Sequence, residues 1–137
     1  VDKNTLMALH VAADHRLLLN DKPIEVSRLK GEIIQFVNRL GNRHLISIES
    51  DREADYDLYF QMQNQIMMAY NELRNQYSMK HFGKAFDALS SSQKESVRKN
   101  CQQRVTESYA NASVGSDKRV DAMAEEQEHS DEKGGKQ

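Results

Sequence analysis

The side chains able to do chemistry here are five histidines, one cysteine and a run of carboxylates, and their spacing limits what they can do. His10, His15, His44, His81 and His129 contain no i,i+4 pair and have no cysteine partners, so metal-site spacings are missing. Histidines at the surface or at strand edges are expected instead. Asp51, Glu53, Asp55 and Asp57 crowd together. With a histidine, Asp51 and Asp55 are the pair a small enzyme would use. A calcium loop starting at Asp51 needs Gly at its sixth position and Glu at its twelfth, and has neither. The reading adopted is a helix-start cluster, whose negative charge faces the positive end of the helix dipole. Cys101 has no arranged base and reads as a small, partly buried residue. Gly-rich phosphate loops and the GxSxG elbow are absent. The sequence therefore offers no catalytic residue, cofactor or metal site, and the expectation is a protein that is not an enzyme.

Composition narrows the remaining classes. At 137 residues the chain suits one domain and one core. A net charge of −2 makes no electrostatic case for nucleic acid, and none is expected as a partner. Charge is uneven: residues 110–137 hold seven acids and four bases, leaving the rest nearly neutral. One cysteine permits no internal disulfide. No apolar run approaches the ~18 residues a membrane span needs, and none of the given residues reads as a signal peptide. Because Val1 runs straight into a strand pattern, an upstream segment is expected to be missing.

The elements that must position any site follow from periodicity. Residues 6–11 and 16–20 read as paired strands around a polar turn, with Pro23 ending the second. Residues 24–40 have helical spacing: Leu29, Ile33, Phe36 and Leu40 form a stripe, Ser27 is the expected N-cap and Gly41 the stop. In 44–50, Ile46 and Ile48 point to one face, as in a sheet covered on one side. Residues 56–80 bury a stripe running from Tyr59 through Met62, Ile66, Ala69/Tyr70 and Leu73 to Tyr77, with Gly83 as a stop. Met67 and Met68 are expected to divide between core and surface. A capping box at Ser92–Glu95 predicts a short helix through Asn100, and 103–109 a last strand. The polar stretch 110–137 reads as a disordered tail. The fold class expected is α+β: a β-β-α-β-α-(α)-β domain over 1–109, with helices on one face of a small mixed sheet.

Specific residues add a resemblance. RLLLNDKPIEVSRLKGEI, with Asn20 and Pro23 between strand and helix, resembles the start of the periplasmic domain of ExbD/TolR proteins. ISIESDREADY resembles their third strand and the Asp51…Tyr56 opening of the long helix. QNQIMMAYNELRNQYSMKHFGKAFDALSSSQKESVRK is similar to Bacteroidetes-type ExbD proteins. The resemblance spans roughly residues 6–109, and the helical segment 81–101 departs from shorter members of the family.

That resemblance implies a non-catalytic, dimerising domain in the periplasm. The full protein would be anchored in the inner membrane by one upstream helix bearing the proton-coupling aspartate. Its partners would be ExbB-like and TonB-like proteins, in a proton-motive-force-driven complex that supports outer-membrane transport. A TolR-like subunit of the Tol–Pal envelope system is the alternative. From the residues themselves, the surface to examine is the last strand. Its Arg104, Val105, Thr106 and Glu107 offer an edge for a second copy or an extended partner segment, with Val105 as the expected apolar contact. The outer face of the long helix is the second choice.

Overall fold

A computed structural model describes residues 3–109, and the tail expected over 110–137 lies outside the described residues. Strands β1 (Leu6–Val11), β2 (Leu17–Leu19), β3 (Lys22–Pro23), β4 (Leu45–Ser50) and β5 (Val105–Tyr109) form one mixed sheet. Their spatial order is β3-β2-β1-β4-β5. β1 pairs antiparallel with β2 and parallel with β4, which pairs parallel with β5. Helices α1 (Leu29–Leu40) and α2 (Tyr56–Phe82) cross between strands, and α3 (Ser91–Asn100) precedes β5. The fold class is the one expected: mixed α+β with the helices on one side.

Strand alternation explains the single core. Met7, Leu9 and Val11 on β1 and Ile46 and Ile48 on β4 are buried toward the helices. Leu29, Ile33 and Phe36 of α1 and Met62, Ile66, Ala69, Tyr70 and Leu73 of α2 close over them. Each large aliphatic side chain so buried is worth about 1.5–3 kcal/mol. The opposite sheet face is built from Leu6, Ala8, His10, Leu45, Ser47 and Glu49, none of them fully buried.

The element ends show where local sequence rules hold and where tertiary contacts replace them. Gly41 (φ 61°) and Gly83 (φ 70°) both stop helices with positive φ. Ser27 caps nothing. It lies in a 3-10 turn, Val26–Arg28, that leads into α1 with no side-chain cap of its own. Gln65 of α2 supplies the acceptor instead, its Oε1 lying 2.9 Å from the Lys30 amide. The capping box sits two residues earlier than expected. Gln93 N donates to Ser90 Oγ at 3.2 Å, and Ser90 N to Gln93 Oε1 at 3.0 Å. Two strong Ser candidates competed, and the one with an amide at N3 took the cap.

β3 was not anticipated. Asn20 (φ 51°) and Asp21 (φ 72°) make a two-residue turn with positive φ at both positions, the type I′ geometry of tight hairpins. Asn20 tolerates that conformation and also binds β1: its N donates to Ala8 O at 2.7 Å, and its Oδ1 accepts from Ala8 N at 2.9 Å. Pro23 then sits in the outermost strand, where a missing donor costs no ladder bond.

Candidate functional site

Parallel pairing places the ends of β1 and β4 side by side, and Asp51 joins them. Its amide donates to Val11 O at 2.9 Å, and its Oδ2 accepts from Ala13 N at 2.9 Å. Its Oδ1 accepts from His10 Nε2 at 2.8 Å. The His10 hydrogen bond, with the Ala13 amide second, holds the Asp51 carboxyl below its ordinary range. Four residues later Asp55 caps α2, accepting from Asp57 N at 3.0 Å. His15 Nδ1 lies 3.1 Å from its other oxygen, and this contact is the larger cause of its lowered pKa. Thus the structure does bring Asp51 and Asp55 to histidines, one apiece. Each carboxylate is occupied in fastening the β1–β2 turn over the start of α2. Among the described residues no three His, Cys, Asp or Glu side chains converge as a metal site would require.

The expectation of peripheral histidines fails at His44, which is wholly buried. Its Nδ1 donates to Gly41 O at 2.6 Å, which leaves Nε2 to accept from Tyr70 Oη, also at 2.6 Å. Burial lowers its pKa, with Arg104 also opposing its charge, and burial raises that of Tyr70. The ring is a neutral brace between the α1 end and α2. A sequence signal existed, since His44 precedes an alternating strand and follows a helix-ending glycine, but nothing in it names Tyr70 as partner.

The four last-strand candidates divide by role. Among the described residues β5 lies at the sheet edge, with β4 on one side and no strand on the other. Arg104 C=O accepts from Ile46 N at 2.9 Å, so that residue and Thr106 direct their backbone groups toward β4. By alternation the N–H and C=O groups of Val105 and Glu107 point to the open side. Their side chains point inward. Val105 packs on the core and Glu107 is buried under α2. Tyr59 Oη donates to the Glu107 carboxylate, and Gln63 Nε2 approaches it at 3.4 Å. Arg104 Nε donates to His44 O at 2.9 Å. So β5 presents its backbone outward, while Val105 serves its own core rather than a partner.

Above this edge stands the second surface. Around α2, Gln65 marks the side toward α1, Met62 and Ile66 face the sheet, and Tyr59 and Gln63 face β5. Continuing round the helix, the next positions are Tyr56, Phe60 and Met67, which are 69%, 56% and 51% exposed. The Tyr56 and Phe60 rings touch, with centroids 4.9 Å apart. Met68 is exposed too, so neither methionine of the pair enters the core. From Leu58 to Asn71 the helix carries no charged side chain.

The third feature is a recess of about 360 Å³ where α1, α2 and the end of α3 meet, lined by Val37, Tyr70, Tyr77, Lys80, His81 and Cys101 among others. Tyr77 and His81, one turn apart on α2, stack along its wall with ring centroids 4.0 Å apart. Cys101 is half-buried, and burial raises its thiol pKa, which favours the protonated thiol over the thiolate. No helix among the described residues is long and apolar enough to cross a membrane. Comparison with protein-family models and with curated proteins gives no match.

Proposed function

We propose that this chain is the periplasmic interaction domain of an ExbD-type subunit, a non-catalytic module that dimerises and engages TonB-like and ExbB-like partners. The observation that carries the reading is the open β5 edge, whose outward backbone donors and acceptors suit the addition of another strand. The family-like positions fit a scaffold role. Asn20 and Pro23 form the β2–β3 turn and edge, Asp51 fastens β1 to β4, and Tyr56 opens α2. In this reading the parent protein is held in the inner membrane by an upstream helix, and the work of this part is recognition.

The test is binding of isotope-labelled domain to periplasmic fragments of a TonB-like and a TolA-like protein. Shifts of the Val105 and Glu107 amides on adding the TonB-like fragment alone are the expected result. Shifts with the TolA-like fragment alone assign the chain to the Tol–Pal type instead. No β5 shift with either fragment rejects the edge as a docking site.

A further inference from the structure

We infer that the acidic run 121–132 of this chain seats in its own recess between α1, α2 and the end of α3. Met123 lies on the apolar floor, and Glu125, Glu126 and Glu128 face Lys80 and His81. The inference stands apart from the proposed partners and gives an occupant to a site that they leave unused.

Charge selects the occupant. Lys80 and His81 stand in the recess wall, and none of its described lining residues is an Asp or Glu. The chain around it is basic: residues 74–104 hold seven Lys and Arg against two Asp and Glu. Lys84 and Lys99 of this stretch are exposed. The C-terminal ends of α1 and α3 also reach the recess and favour cations. About half a charge at each end is outweighed by these whole ones. Residues 121–132 are the counterpart, with six Asp and Glu and no Lys or Arg. The other end of the sheet repels such a run, because residues 49–57, where β4 gives way to α2, hold five acids and one Arg.

Shape and reach agree with charge. Val37, Tyr70 and Leu73 give the recess an apolar floor, which a small inorganic anion would leave wet. Met123 is the one large apolar side chain within 121–132, and methionine adapts to irregular apolar surfaces. β5 ends at Tyr109 beside Ser50, and Glu107 meets Tyr59 in the first turn of α2, so the chain leaves the sheet near the α2 start. From Tyr56 to Lys80 the helix rises about 36 Å. Residues 110–123 span up to ~46 Å when extended, so Met123 reaches the recess with slack. Such a tether holds the run at an effective concentration on the order of millimolar. That is enough for surface ion pairs too weak to capture a free partner.

The experiment compares the full chain with a full-chain variant carrying Glu125→Gln, Glu126→Gln and Glu128→Gln, both at low ionic strength. The three positions follow the last strand, so the variant keeps the fold, which far-ultraviolet circular dichroism verifies. Cys101 lines the recess, so its rate of alkylation by the neutral reagent N-ethylmaleimide reads whether the recess is covered. The expected result is alkylation about fivefold slower in the wild type, as a run seated about four-fifths of the time would give. The amides of Tyr77, Lys80 and His81 should shift between the two proteins, and in about 0.5 M NaCl both differences should vanish. Lys80→Glu in the otherwise unchanged chain should alkylate as fast as the triple variant. Equal rates with unshifted recess amides overturn the inference, as does a Lys80→Glu protein that stays as slow as the wild type. A protection that grows with protein concentration also overturns it, because the run then fills the recess of a second copy.

Discussion

The His44 ring and the Tyr70 hydroxyl lock one another in the core, with Nε2 2.6 Å from Oη. The pair joins the end of α1 to the middle of α2, because the opposite ring nitrogen is tied to Gly41 O. Tyr70→Phe keeps the volume and removes the donor, leaving a buried acceptor unsatisfied. The expected loss is about 1–3 kcal/mol, read as a lower denaturation midpoint with unchanged m-value.

The same histidine gives a pH dependence of definite sign. Its folded pKa lies below the ordinary value of 6.5 because burial, then Arg104, disfavours the charged ring. The unfolded chain therefore binds the extra proton first, and stability falls as pH drops below about 6.5. His44→Gln should flatten that limb in urea titrations at pH 7 and pH 5. An unchanged slope would mean that another group sets it.

Asp51 supplies a second, separate acid limb. Its carboxyl is held low by His10 first and Ala13 second, so its contribution is complete above the usual value of 3.8 and lost below it. Asp51→Asn should remove this lower limb, and should speed hydrogen exchange at the Ala13 amide, which donates to Asp51 Oδ2. Unaltered exchange at Ala13 would contradict the staple.

α1 borrows its N-terminal acceptor from another helix, which makes Gln65 a long-range cap. Gln65→Ala should cost about 1 kcal/mol, in the range for loss of an N-cap. Exchange at Lys30 should rise without change at the α2 amides around the substitution. Equal effects in both helices would point to general loosening instead.

The last strand is tied to α2 through Glu107. Glu107→Ala leaves Tyr59 Oη and Gln63 without their shared acceptor, and β5 should open more often. Val105→Pro acts differently, removing an outward N–H while sparing the bonds to β4. It should weaken self-association by at least tenfold. Because Val105 also touches the core, its melting temperature should fall by a few degrees as well.

Much of the architecture was readable because local pattern and global need agreed. The Leu29–Ile33–Phe36 stripe, the Met62–Ile66–Leu73 stripe and the Ile46/Ile48 alternation all became core. The failures lie where a partner comes from far along the chain. Ser27 is a good cap by type, yet Gln65 does the capping, and no local rule can name it. Met67 and Met68 were expected to divide, but α2 has its sheet on one side only and both fall on the opposite arc. Val105 alternates as an edge residue should, but its direction depends on register with Ile46. Glu107 carried no sign of burial, since its partners Tyr59 and Gln63 sit on another element.

The order of strands in space has a consequence for how the chain assembles. β1 and β4 occupy the middle of the sheet and find each other across α1 alone, whereas Val105 reaches Ile46 only after α2 and α3 have been made. During synthesis the centre can therefore form while its last margin is still being added. Until β5 arrives, β4 is itself a raw edge backed by apolar Ile46 and Ile48. A chain cut short before Val105 should retain much of its helix yet aggregate. The final strand thus acts as the finishing seal on a sheet whose interior was complete long before it.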